Sequence, residues 1–224
     1  MKYLFISILA FMCSIASAKE ATITPEFIEL LKKNHHEKSL GTNSPEDFLS
    51  SLKTIADKGD PSAQFLYGMA LSRENRSAAK EYLSLSATAG CTGSEAMLAV
   101  INMIEKNNEE GVKLFKASAQ KGDTMAQAAI SGLYKRGENG FEKSDIKAYA
   151  WLMLAQRQTF SLGALKSIEQ GMSALSLSDA DIKKANVEYK ALSRKIKKQD
   201  YYLCGQMDLD ASRAENIEPY LKMQ

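Results

Sequence analysis

Few residues in this chain could act on a substrate. Its two histidines, His35 and His36, are adjacent, and neighbours one position apart do not share a helical face. They follow "FIELLKKN" in a stretch that reads as a polar linker; a catalytic role as acid or base is the rival reading. Cys91 and Cys204 carry thiols, but a nucleophilic cysteine needs a histidine or a positive field to become a thiolate. No such partner stands out, so the expected state is a buried thiol or a disulfide between Cys91 and Cys204. The acid pairs Asp179/Asp181 and Asp208/Asp210 could touch a cation, yet such pairs are ordinarily solvated or sit at helix starts, where the dipole favours them. His-Glu-x-x-His, Gly-x-Ser-x-Gly and a phosphate-cradling glycine loop are all missing from the sequence. The expectation is no catalytic residue, no bound metal and no cofactor.

Charge narrows the partners in the same way. Lys183, Lys184, Lys190, Arg194, Lys195, Lys197 and Lys198 form a basic run broken by one acid, Glu188. It could meet an acidic protein or a lipid headgroup, or be the wet face of a terminal helix facing Asp208, Asp210, Glu215 and Glu218. The second reading is the simpler one. The whole chain carries 29 basic and 27 acidic residues, so no global field exists to hold nucleic acid.

The start of the chain reads as a targeting segment. "MKYLFISILAFMCSIASA" has one basic residue, an apolar run and Ala16-Ser17-Ala18, the small-x-small pattern cut after export. The run is too short to span a bilayer, and no second one follows. A lipid anchor on Cys13 is the rival, but Phe11 and Met12 before it are bulky. A mature chain from Lys19 in the periplasm is therefore expected, with Cys91 and Cys204 in an oxidising compartment and no stable membrane insertion.

What must position any site is an internal repeat. Ala56-Asp57-Lys58-Gly59, Ala87-Thr88-Ala89-Gly90 and Ala119-Gln120-Lys121-Gly122 share one phrase, with glycines 31 and 32 residues apart, a supersecondary period. Small residues follow four positions on, at Ala63, Ser94 and Ala126. Between the glycines lie two helical patterns separated by polar breaks, Arg73 to Ser77, Lys106 to Asn108 and Arg136 to Ser144. Val112, Phe115 and Ala119 show the three-and-four spacing of a buried stripe. A glycine after a helix supplies the left-handed backbone that closes it, so Gly59, Gly90 and Gly122 read as joints between stacked hairpins. Four prolines and few β-branched alternating runs complete an all-α expectation: an α-solenoid of antiparallel helical hairpins, capped by helices at both ends.

At these residues the chain resembles the Sel-one-like repeat family, relatives of the tetratricopeptide repeat. "GDTMAQAAISGLYKRG" followed by "DIKAYAWLMLAQRQ" carries the Gly-Asp-x-x-Ala-Gln opening, the Leu-Tyr-x-x-Gly helix end and the Ala-x-x-Trp second helix, and "GDPSAQFLYGMA" is a second match. The unit from Gly90 departs, with Cys91 for the acid and Ser94 for the alanine. The first two units lack the tryptophan and the glycine loop, and the segment from Leu162 to Leu192 resembles the two-helix cap of such arrays. Trp151, Tyr149 and Tyr134 fall at or beside family positions that pack between helices. The resemblance implies protein binding and scaffolding. Cysteine-rich relatives tied to β-lactam chemistry carry regular cysteine pairs, which this chain lacks.

The expected organisation is a signal peptide at 1–18, a helical segment at 19–51, about three repeats at 52–160, capping helices at 161–198 and a helical tail at 199–224. Thr24-Pro25-Glu26 and Ser44-Pro45-Glu46 mark two helix starts, and Ser178 with Asp181 marks a third. The expected function is a non-enzymatic periplasmic module that binds a protein or an extended peptide in a concave groove. Its anchors would come from positions seven and ten past each glycine: Leu66 and Met69, Met97 and Val100, Ala129 and Gly132, with Arg136 further on. The alternative is an immunity protein that neutralises a secreted toxic effector such as a lipase. An enzyme acting on cell-wall material or β-lactams is the reading from another class.

Overall fold

Seven helix starts among the described residues are set by an oxygen-bearing side chain before the first turn. The computed structural model describes residues 24–159 and 162–196; Cys13, the leader, Cys204 and the tail lie outside them. Thr24, Ser44 and Asp60 each precede a proline and open α1 (Pro25–Ser39), α2 (Pro45–Asp57) and α3 (Pro61–Leu71). In each, the side chain accepts from the N–H three residues on, which satisfies one of the donors a helix start leaves unpaired. Asn75, Asp123, Ser144 and Ser178 do the same for α4 (Arg76–Thr88), α7 (Thr124–Arg136), α8 (Asp145–Gln158) and α10 (Asp179–Lys195). The remaining helices are α5 (Thr92–Ile104), α6 (Asn108–Gln120) and α9 (Leu162–Ser173). No strand occurs among the described residues.

One expectation is corrected at the first helix. His35 and His36 belong to α1 rather than to a linker. Nothing from Lys32 to Ser39 breaks a helix, and the chain turns only at Gly41, where φ is 67°. The basic residues His36 and Lys38 fall in the last turn, where the dipole favours positive charge. At the other boundary, α2 is continuous across Ser51 and Leu52, where the sequence reading began the repeats.

The apolar stripes then fix the stacking. Hairpins form between α3 and α4, α5 and α6, and α7 and α8, while α4–α5 and α6–α7 join them; α3 touches α5, and α5 touches α7. The first helices of the units therefore form one layer. Phe27 of α1 is fully buried in a core with Leu52, Ile55, Leu66, Leu83 and Ile101. Phe115 and Ile130 anchor the second core, and Leu152, Ile168 and Leu175 the third. Both α9 and α10 pack on α8, which covers the last repeat and forms an α-solenoid with helical ends.

Close approach within hairpins needs missing side chains. A Cβ at Gly68 would stand 2.8 Å from Leu83 Cγ and 3.2 Å from the Ala79 carbonyl. Gly111 makes the same approach to α5, 2.8 Å from Met103 Cγ and 3.1 Å from the Ala99 carbonyl.

Candidate functional site

The joints absorb most of the buried polar chemistry. Gly59, Gly90 and Gly122 have φ of 96°, 99° and 97°, a region that costs other residues strain. Next to them stand Asp60, Cys91 and Asp123. Asp60 Oδ1 accepts from the Ala63 N–H at 2.7 Å, and its Oδ2 accepts from the Thr24 N–H at 3.0 Å, which ties α1 to the first repeat. Cys91 makes no side-chain cap. Asp123 Oδ1 accepts from the Ala126 N–H at 2.8 Å. Burial pushes its carboxyl up to about 6, with the charge of Glu95 adding to the rise and the Ala126 and Met125 N–H groups opposing it.

Side chains further along repeat the same economy. Gln64 Nε2 donates to the Ala56 carbonyl at 3.2 Å, and Gln127 Nε2 donates to the Ala119 carbonyl at 3.3 Å and to Gln158 Oε1 at 2.9 Å. In the middle unit Glu95 has no N–H to give; it pairs with Lys121 instead. Ser86 Oγ donates to the Pro61 carbonyl at 2.7 Å, and Ser118 Oγ donates to the Thr92 carbonyl at 2.9 Å. Each serine lies four residues before its joint glycine, so the end of a second helix is fastened to the start of the first helix of its own unit. The signal in the sequence is a long polar side chain five residues past each joint glycine, an amide at Gln64 and Gln127 and a carboxylate at Glu95.

The residues flagged for chemistry do not converge. His35 Nδ1 is buried without a hydrogen-bond partner, and His36 is its neighbour on α1. Asp181 is held below the usual carboxylate range by Lys184 and Ser178, which uses it as a helix-start charge. Asp208 and Asp210 lie outside the described residues. No group of three metal-ligating side chains occurs among the described residues. In the basic run, Lys184 pairs with Asp181, and Arg157 of α8 sits 5.8 Å over the Tyr189 ring.

The flagged anchors separate by position. At position seven, Leu66 is in the first core, 8% exposed, while Met97 and Ala129 are half-buried. At position ten, Met69, Val100 and Gly132 are half-buried in all three units, with Met69 against the first core and Val100 against the second. Arg136 is exposed and pairs with Glu138 at 2.6 Å, and its Nη1 would stand 3.0 Å from a Cβ placed on Gly132. The row thus reads Met69, Val100, then a guanidinium lying over a glycine. Along α6 runs a groove of about 670 Å³ lined by Val112, Lys113, Lys116, Ala117 and Asn139. Lys116 stands 5.1 Å from the Phe141 ring, which packs edge-on against Tyr134.

The described chain is a stack of helical hairpins fastened at glycine joints. No protein-family model matches it, and no curated protein matches it. Among solved structures it is similar to a protective antigen present in uropathogenic Escherichia coli strains that displays an SLR (Sel-one-like repeat) fold. The identity is 16% and the TM-score 0.49, over 88% of this chain and 48% of that one. The chain spans about half the length of that protein. No helix among the described residues is long and apolar enough to cross a membrane.

Proposed function

We propose that this chain is a periplasmic interaction module, binding another protein or an extended peptide along the layer of α3, α5 and α7. The observation that carries the reading is the row at position ten. Met69, Val100 and the Gly132–Arg136 pair stay partly open in successive units, whereas Asp60, Gln64, Asp123 and Gln127 are spent on the joints. Methionine adapts its shape to a partner at little cost, and a guanidinium at one end of an apolar row favours a carboxylate or a carbonyl there. The leader-like pattern of residues 1–18 supports the periplasmic part of this reading.

The test is a pull-down of the mature protein from periplasmic extract, read by mass spectrometry, beside the Val100→Asp variant. Capture of one protein that the variant loses is the expected result. Equal capture by both forms would remove the row from the interface, and a captured secreted effector would turn the reading to immunity.

A further inference from the structure

The second unit breaks the pattern of the joints at one buried atom. In the first and third units the carbonyl three residues before the joint glycine accepts twice. Ala56 takes the Gly59 N–H at 2.9 Å and Gln64 Nε2 at 3.2 Å, and Ala119 takes the Gly122 N–H at 3.1 Å and Gln127 Nε2 at 3.3 Å. In the second unit the Ala87 carbonyl takes the Gly90 N–H at 2.9 Å, but the side chain at the position of the two amides is Glu95. Its Oε1 reaches forward to Lys121, at the joint to the third unit, and its Oε2 is buried with no hydrogen-bond partner.

A charged carboxylate only accepts, so it has nothing to give a carbonyl, whereas a protonated one carries an O–H that can donate. The Glu95 side chain is 16% exposed, and a buried oxygen left unpaired is costly. We propose that Glu95 is a proton-operated latch at the joint between the second and third units. Charged, it holds Lys121. Protonated, it turns back and donates to the Ala87 carbonyl, as Gln64 and Gln127 donate to theirs. Glutamic acid and glutamine have the same length, so the first and third units already show that a side chain of this reach closes the bond. The step takes one proton from solvent and returns the Lys121 ammonium, itself half-exposed, to water.

The charges around the first turn of α5 favour such a latch. Asp123, 1% exposed at the start of α7, adds like charge. The charge of Glu95 contributes to the rise of the Asp123 carboxyl to about 6, so the two bind protons as a coupled pair. Lys121 stands against them. The last turns of α4 and α6 and the first turns of α3 and α7 carry no charged side chain, and Asp60 belongs to the joint before. Cys91 is disulfide-bonded and does not titrate. Because α5 also carries Met97 and Val100, the latch decides whether this helix is tied to the joint ahead of it or to the joint behind.

The test is nuclear magnetic resonance of the full mature chain, isotopically labelled and titrated from pH 7.5 to pH 4. It follows the Glu95 carboxyl carbon and the Ala87 carbonyl carbon, with the Ala56 carbonyl as a control. In the wild type Glu95 and Ala87 should shift together while Ala56 stays in place. In Glu95→Gln, which puts the residue of the other two units at this position, the Ala87 carbon should remain at its wild-type low-pH position throughout. A Glu95 carboxyl that takes up no proton above pH 4, an Ala87 carbon that does not follow it, or an equal Ala87 shift in Glu95→Gln would each overturn the latch. Should the variant fail to fold, the wild-type titration decides alone. None of these outcomes bears on partner capture through Val100.

Discussion

Asp123 should make the fold less stable as pH rises through the range where most proteins gain stability. Its carboxyl is 1% exposed and moves from an ordinary 3.8 to about 6. A group whose folded value is raised contributes its stability fully below the unfolded value and loses it as pH climbs through the folded one. The window is therefore about pH 4 to 6.5. At about 1.4 kcal/mol per pH unit, the gap between 3.8 and about 6 is worth about 3 kcal/mol. Asp57 and Asp181, whose values are lowered, act in the opposite sense, but both are exposed pairs and count for little. Asp123→Asn keeps an oxygen to accept from the Ala126 N–H and removes the charge, so it should flatten the profile and stabilise the chain at pH 7.5. Urea unfolding followed by circular dichroism at pH 4.5 and 7.5 reads both effects. The reasoning fails if wild type and Asp123→Asn show the same change in unfolding free energy between the two pH values.

Glycine substitutions separate the hairpin contacts from the joints. Gly68→Ala should cost about 1–2 kcal/mol, because the new methyl meets Leu83 near its backbone and overpacking outweighs the helix preference of alanine. Gly111→Ala meets Met103 Cγ and the Ala99 carbonyl as closely, so it should cost a similar amount, about 1–2 kcal/mol; a melting curve unchanged from wild type in either variant would contradict this. Gly122→Val, at φ 97°, should lower stability by roughly 1 kcal/mol or more, and an unchanged melting temperature would mean the joint tolerates a side chain. Intact-mass measurement of exported protein should show a chain beginning at Lys19, whereas an acylated Cys13 would refute the cleavage.

Much of this architecture was legible because it repeats. The glycines at 59, 90 and 122 announce the period, and Thr24, Ser44 and Ser178 announce helix starts through chemistry that acts within three residues. His35 and His36 misled because polarity alone suggested a linker, whereas helix continuity depends on the absence of a breaker. Leu66 shows the other limit: helical spacing says which residues share a face, but not which face the neighbouring helix covers. The burial of Asp123 was invisible for the same reason. Its capping role is local and its surroundings are not, because Glu95 belongs to the preceding unit.

Site-resolved photo-crosslinking tests the central claim most directly. A photoreactive residue would be placed in turn at Met69, Met97 and Val100, and as a control at Leu85, which is exposed on α4. The account predicts that all three positions on the α3 and α5 layer trap the same protein in the periplasm and that Leu85 traps none. Trapping from Leu85 alone would contradict it.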